Sequence, residues 1–252
     1  MTGSSRHTEW LSLVEVSGAF LAVPVLEKAF PQGLDVVETP KRQRLRAAYE
    51  EWRDAVDEGD PLLDELHREW IRLVFTEILE YDGESLKTDT DTAASYTMSS
   101  PERTESFFPD WVVVSPSDAK PRMFVSLQPP GTDLERVRKD DRWPASLRER
   151  MTGLCRLHGV RLGLITDGER WMLVNAPSGA TSGDASWYAR LWFQEPLTLK
   201  AFQSLLGVRR CFGPADDTLD ALLERSLEHH EEITNTLGEQ VRRAVEVLVQ
   251  CL

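Results

Sequence analysis

The chain has 252 residues, of which 41% are apolar and 28% are charged, a composition typical of a globular protein. This length can form one sizeable hydrophobic core with appendages, or two small domains. The formal net charge of −13 argues against binding of nucleic acid over the whole surface, because phosphate contacts need a positive local potential. A local basic groove is still compatible with this charge.

The apolar segments and the cysteines limit the cellular setting. The longest apolar stretch, residues 16–26, is interrupted by Gly18 and Pro24 and is too short to cross a bilayer. No basic leader precedes an apolar run and a cleavage site, so we expect a cytoplasmic protein without a membrane partner. The three cysteines (Cys155, Cys211 and Cys251) are far apart and form no C-x-x-C pair, which favours reduced thiols over a disulfide or zinc site.

Two helices are predicted before the centre of the chain. Thr39-Pro40 is a helix-start signal, and apolar residues at three-and-four spacing extend this helix to about Glu58. Asp60-Pro61 starts a second helix, which we expect to run to about residue 81. The polar flank of the second helix carries Glu69 and Glu77.

A β-hairpin is predicted at residues 107–128. Two apolar, Val-rich runs, residues 111–116 and 122–127, lie on either side of a polar turn, and Pro109-Asp110 introduces the first run. The preceding segment, residues 82–106, is rich in Asp, Ser and Thr and contains at most a weak strand near Ala94 to Met98.

The second half of the chain alternates between strand and helix patterns until residue 206. The predicted elements are a helix at 144–158, a strand at 160–166, a turn at Asp167-Gly168, strands at 170–175 and 187–193, and a helix at 198–206. The sequence therefore predicts an α/β (α+β) fold. We divide it into an N-terminal extension (1–59), an α/β domain (60–213) and a helical segment (214–252).

The C-terminal segment predicts one or two long amphipathic helices between residues 217 and 252. Its apolar positions recur at helical spacing. They are Leu219, Leu223, Leu227, Ile233, Leu237, Val241, Ala244, Val245 and Leu248. This pattern indicates packing on the chain's own domain, contact with a partner, or a linker inside a longer protein.

The predicted order from residue 60 onward is α-β-β-β-α-β, with Pro-Asp at the entrance to a strand. This order resembles the core of PD-(D/E)xK nucleases. The similarity is greatest to the N-terminal nuclease-like region of type I (HsdR) and type IIG restriction-modification proteins and of DISARM-type phage-defence methylases. Residues 158–171, HGVRLGLITDGERW, are similar to a strand-turn-strand pattern of those regions. The resemblance covers roughly residues 60–200, and the long helix after residue 217 is similar to their linker to an adenine methyltransferase.

The resemblance implies a metal-dependent nuclease site, from which this sequence departs. Asp110 corresponds to the motif's first acid, but Ser126-Leu127-Gln128 stands where Glu-x-Lys is expected. Catalysis would need a second carboxylate for Mg²⁺ and a lysine near the attacking water. Glu69 and Glu77 are further candidate metal ligands, and the missing acid could instead be Asp133 or Glu135. We therefore expect a degenerate site at Asp110, Ser126 and Gln128, with no cofactor unless Mg²⁺ binds in an active form.

Basic residues after the hairpin are candidates for binding double-stranded DNA. They are Arg136, Arg138, Lys139, Arg142, Arg148 and Arg150. A mixed charged surface would give the same pattern. The expected function is a catalytically degenerate nuclease-like module that binds DNA, or a methyltransferase or helicase partner through residues 217–252, in a restriction-modification or phage-defence system.

Two alternatives remain open at this point. The first is an active Mg²⁺-dependent DNA endonuclease with a rearranged site. The second is an interaction protein that acts through its C-terminal helices.

Overall fold

The computed structural model describes residues 4–102, 105–137 and 143–250 as a mixed α/β fold. The strands are β1 (Glu15–Ser17), β2 (Leu86–Lys87), β3 (Met98–Ser99), β4 (Ser106–Phe107), β5 (Trp111–Val114), β6 (Pro121–Leu127), β7 (Leu162–Thr166), β8 (Arg170–Asn175) and β9 (Gly183–Tyr188). The helices are α1 (Ser4–Leu11), α2 (Val23–Ala29), α3 (Thr39–Glu58), α4 (Leu63–Leu73), α5 (Thr90–Ala94), α6 (Leu147–Leu157), α7 (Leu191–Gln194), α8 (Pro196–Leu206), α9 (Val208–Phe212) and α10 (Leu219–Gln250).

One seven-stranded sheet organises the chain, with the strand order β1-β9-β8-β7-β6-β5-β2. Strands β6 and β7 are parallel, and α6 forms the crossover that such a pair requires. All other neighbouring pairs of this sheet are antiparallel. As a consequence, the start of β5 and the ends of β6 and β7 meet at one edge of the sheet.

Each face of the sheet packs on its own hydrophobic cluster, because side chains alternate between faces along a strand. On one face, Trp111, Val113 and Val125 join the cluster that includes Trp52 of α3 and Trp70 of α4. On the other face, the intervening strand residues pack with the buried side of α6. The first cluster also includes residues of α1, α2 and the start of α10.

Several helix predictions agree with the structure. Helix α3 covers Thr39–Glu58, with Pro40 in its first turn and Gly59 in a left-handed conformation after its end. Ser146 and Glu149 form a reciprocal capping box at the start of α6, so this helix begins later than residue 144. The C-terminal segment is one helix, α10, rather than two.

Three sequence-based expectations differ from the structure. The weak strand expected near Ala94 to Met98 begins only at Met98, as β3, which pairs with β4 outside the seven-stranded sheet, and residues 90–94 are helical. The strand that pairs with β5 is the short β2. The second helix was expected to run to about residue 81. Its α-helical part, α4, ends at Leu73 and is followed by one π-helical turn, Val74–Ile78. The last strand lies at Gly183–Tyr188, earlier than expected, and its apolar successors are helical. These stretches are short or uniformly apolar, so periodicity does not distinguish helix from strand.

Among the described residues, no helix has both the length and the apolar character needed to cross a bilayer.

Candidate functional site

The candidate site lies at the sheet edge where β5 begins and β6 ends. Antiparallel pairing places Trp111 opposite Val125, so the residue before β5 lies beside the last residues of β6. The structure therefore brings Asp110, Ser126 and Gln128 together.

The Asp110 carboxylate is bound by groups of its own chain. Its Oδ2 accepts a hydrogen bond from the Leu127 backbone N–H at 2.7 Å and a longer contact, 3.4 Å, from the Ser126 hydroxyl. Burial raises the pKa of Asp110, while the Leu127 N–H and the nearby positive charge of Arg68 act in the opposite direction. The carboxylate is thus half-buried, and its hydrogen bonds offset only part of the effect of burial on its pKa.

Ser126 and Gln128 continue a chain of hydrogen bonds away from Asp110. The Gln128 side-chain Nε2 donates to the Ser126 hydroxyl at 2.9 Å. The Gln128 backbone is fixed separately, because its N–H donates to the Thr166 carbonyl at 2.7 Å. The two side chains next to Asp110 in this chain of hydrogen bonds are therefore both neutral. This arrangement provides a single carboxylate, and one of its oxygens already accepts hydrogen bonds from the protein.

His67 of α4 connects the covering helices to this edge. Its Nδ1 accepts a hydrogen bond from Trp52 Nε1 at 3.1 Å, and its Nε2 lies 2.9 Å from the Gln128 carbonyl oxygen. These two partners select the neutral tautomer with the proton on Nε2, which then donates to Gln128. Burial lowers the pKa of His67, which is consistent with a neutral ring.

A second aspartate, Asp167, occupies the same sheet edge directly after β7. Its Oδ1 accepts the backbone N–H groups of Glu169 and Arg170 at 3.0 and 2.7 Å, and its Oδ2 accepts that of Gly131 at 3.1 Å. Asp167 therefore closes the β7–β8 turn and anchors the loop that follows β6. Gly168 has φ +88°, and a Cβ at this position would lie 2.8 Å from the Trp52 ring. The turn thus requires a glycine for both conformation and space.

The other candidate acids are not gathered around Asp110. Glu77 forms an ion pair with Arg44 on α3, and Glu69 is exposed on α4. Asp133 accepts the backbone N–H of Glu135, and Glu135 pairs with Arg170. Within the described ranges, no three or more His, Cys, Asp or Glu residues form a group that could hold a metal ion.

The basic residues that are candidates for binding DNA differ in whether their charges already interact with other groups of the chain. Arg136 is exposed. Arg148 pairs with the buried Asp184 at 2.9 Å, and Arg150 donates to the Trp143 carbonyl at 2.6 Å while its guanidinium lies over the Trp143 ring. The remaining candidates, Arg138, Lys139 and Arg142, lie outside the described residues.

Sequence reasoning missed His67, Arg68 and Asp167 as neighbours of the site. His67 lies on the buried face of a helix far from the hairpin in sequence, so no local pattern indicates its contact with Gln128. Asp167 had a usable signal, because it follows a buried strand parallel to β6, and the carboxyl ends of parallel strands share an edge. From the sequence, Asp167 was predicted only as a turn residue.

Comparisons with family models, curated proteins and solved structures found no match.

Proposed function

We propose that this chain is a nuclease-like domain that has lost cleavage and acts as a DNA-binding or partner-binding module of a restriction-modification or phage-defence system. The observation that carries the proposal is the composition of the sheet edge at Asp110. A carboxylate at the start of one strand lies beside Ser126 and Gln128 at the end of the next, and the resemblance expects an acid and a lysine at those two positions.

The order of elements supports the same interpretation. Helix α4 is followed by β2 and, after an insertion that contains α5, β3 and β4, by β5 and β6; the crossover helix α6 and the parallel strand β7 come next. Apart from this insertion, the order is the α-β-β-β-α-β order that the resemblance implies. Fold alone does not establish activity, so the side chains at the site decide which function the chain can have.

The chemistry of the site favours loss of cleavage. Mg²⁺ binds oxygen ligands, usually carboxylates together with substrate phosphates, and a hydroxyl and an amide add no negative charge. The Asp110 oxygen that faces these groups already accepts the Leu127 N–H. No cation occupies the Gln128 position to stabilise an attacking water. A single desolvated carboxylate would therefore hold Mg²⁺ weakly.

A gain-of-function variant tests whether these positions correspond to a nuclease site. We expect the wild-type protein to leave plasmid DNA intact with Mg²⁺ or Mn²⁺, and Ser126→Glu/Gln128→Lys to bind Mn²⁺ at least tenfold more tightly in a titration. The matched control is Ser126→Gln/Gln128→Lys, which has similar size but lacks the new carboxylate. Asp110→Ala in the double variant should remove the gained binding.

Two results would contradict the proposal. Metal-dependent cleavage by the wild-type chain that Asp110→Ala abolishes would establish the active endonuclease instead. Equal Mn²⁺ affinity of the double variant and its control would show that residue 126 does not correspond to the motif's acid.

Binding is tested separately by titration of duplex DNA at low and high salt. If DNA is the partner, we expect weaker binding at high salt and a loss of affinity in Arg136→Ala. Arg148→Ala serves as a comparison, because its guanidinium already pairs with Asp184. If the chain bound neither DNA nor a methyltransferase or helicase partner, the proposal that it is a binding module would be refuted.

A further inference from the structure

A cavity of about 520 Å³ lies at the end of the sheet opposite to Asp110. Its walls come from the turn between β5 and β6, the start of β7, the end of α9 and the start of α10. Arg122 near the start of β6 and Leu162 at the start of β7 line this cavity, whereas Asp110 lies beside the end of β6. The cavity is therefore separate from the candidate site, and its volume is in the range of small-molecule sites.

Asp220, in the first turn of α10, brings an unsatisfied carboxylate to this cavity. Its Oδ1 is buried and accepts no hydrogen bond from the described residues. The residue as a whole is only partly buried and lines the cavity, so Oδ2 is the oxygen that a ligand can reach. Burial raises the pKa of Asp220, while the charges of Arg161 and Arg122 act in the opposite direction. A carboxylate in this environment is stabilised by a hydrogen-bond donor, and most strongly by a charged one.

The arginines around the cavity already have partners of their own. Arg122 forms an ion pair with Asp118 at 3.2 Å, and Arg161 forms one with Glu224. The Arg210 guanidinium donates to two backbone carbonyls and lies over an aromatic ring. In the described structure, none of the three donates a hydrogen bond to the carboxylate at the start of α10. This carboxylate and the net charge of −13 therefore favour a cation over an anion as the ligand.

Apolar side chains form another part of the wall, because Pro116, Leu162 and Phe212 line the same cavity as Asp220. We propose that the cavity binds a small primary amine, whose ammonium group donates to Asp220 and whose apolar body contacts these three side chains. The binding is non-covalent. This site is additional to the DNA or partner binding proposed above and does not depend on it.

Titration with primary amines tests the proposal. Methylamine, isopentylamine and phenethylamine are added near neutral pH, where all three are protonated, and the NMR signals of the backbone amides are followed. We expect the signals of residues 115–117 and 211–220 to shift, with tighter binding of the two amines that have larger apolar bodies. Isopentanol and isovalerate keep the body of isopentylamine but lack its positive charge, so they should bind at least about tenfold more weakly.

Two variants separate this site from a general attraction of amines to an acidic protein. Asp220→Asn should bind isopentylamine at least about tenfold more weakly than the wild type. Its circular dichroism spectrum should be unchanged, because asparagine keeps the shape of aspartate and the buried Oδ1 has no hydrogen bond to lose. Asp216→Asn removes the same charge from an exposed position four residues earlier and should bind isopentylamine like the wild type.

Three results would overturn the proposal. The first is that none of the three amines binds the wild-type chain at millimolar concentrations. The second is that a folded Asp220→Asn variant binds isopentylamine as tightly as the wild type. The third is that isovalerate binds more tightly than isopentylamine, which would show that the arginines rather than Asp220 select the ligand.

Discussion

Asp110 and Asp167 lie at the same edge of the sheet, yet their carboxylates are satisfied to different degrees. Asp167 accepts three backbone N–H groups through both of its oxygens. Asp110 accepts one backbone N–H and one long hydroxyl contact, both through Oδ2. Asp167 is buried and holds two loops in place, whereas Asp110 is half-buried and makes fewer hydrogen bonds within the protein.

The difference has a physical cause. A buried carboxylate is stable when several N–H groups donate to it, whereas burial with fewer donors favours the protonated form. Burial accordingly raises the pKa of Asp110. Asp110 is half-buried, so its second oxygen does not need a partner within the protein.

The largest expected effect is that of Asp167→Ala. It leaves three backbone N–H groups without their acceptor, so we expect the free energy of unfolding to fall by roughly 3 kcal/mol. Urea denaturation would measure this loss. Asp167→Asn should lose less, because its side-chain oxygen can still accept from Glu169 and Arg170. If Asp167→Ala lost less free energy of unfolding than Asp110→Ala, the order of the two carboxylates would be the opposite of the one proposed.

His67→Gln should cost about 2 kcal/mol at pH 8, because Trp52 Nε1 and the Gln128 carbonyl both lose a well-placed partner. The pKa of His67 is lowered in the folded state, so protonation of the unfolded chain destabilises the wild type as the pH falls through about 6.5. The stability advantage of the wild type over His67→Gln should therefore shrink between pH 8 and pH 5. A gap that widens on acidification would contradict a neutral His67.

Asp110→Ala is expected to reduce the free energy of unfolding by about 1 kcal/mol near neutral pH, because one backbone N–H and one hydroxyl lose their acceptor. Ser126→Ala, which removes only the long contact and the acceptor of Gln128, should cost less. Parallel denaturation curves of the two variants test the ranking. An Asp110→Ala loss above 3 kcal/mol would mean that this carboxylate is as structural as Asp167.

The smallest effect is the pH dependence of Asp110→Asn. Since the pKa of Asp110 is raised in the folded state, the wild type loses stability as the pH rises from the unfolded pKa of about 3.9 through the higher folded value. Asn does not titrate, and its oxygen can still accept the Leu127 N–H. The stability of Asp110→Asn relative to the wild type should thus increase between pH 4 and pH 7. A decrease would indicate that Asp110 is stabilised in its charged form.

The hairpin and its carboxylate were predictable because their signals are local. Two continuous apolar runs on either side of a polar turn predict the hairpin, and Pro109-Asp110 before the first run places the carboxylate at its start. The register itself is not indicated by the sequence, because both strands are buried on both faces. The strand that pairs with this hairpin, Leu86–Lys87, was not predicted, and a weak strand was expected near Ala94 to Met98 instead. Strand β2 has only two residues, and its pairing with β5 depends on the tertiary contact rather than on a periodic pattern.

The environment of the site was less predictable than its position. The basic candidates were selected because many of them occur close together in the sequence. In the structure, however, Arg148 forms an ion pair with Asp184, which the sheet buries. Glu77 was selected by its helix flank, and the packing of α3 on α4 turns it toward Arg44. Which charges meet depends on contacts between distant segments.

The sequence by itself determined the mixed α/β class, the hairpin at Asp110, the crossover helix α6 and the long α10, because each depends on periodicity and turn chemistry within a few residues. Only the tertiary structure decided that His67 holds Gln128, that Asp167 joins two loops, and that α10 is exposed from residue 231 to 243. These features depend on which sheet edges and helix faces meet. That choice is made by the packing of the whole core around the tryptophans of α3, α4 and the sheet.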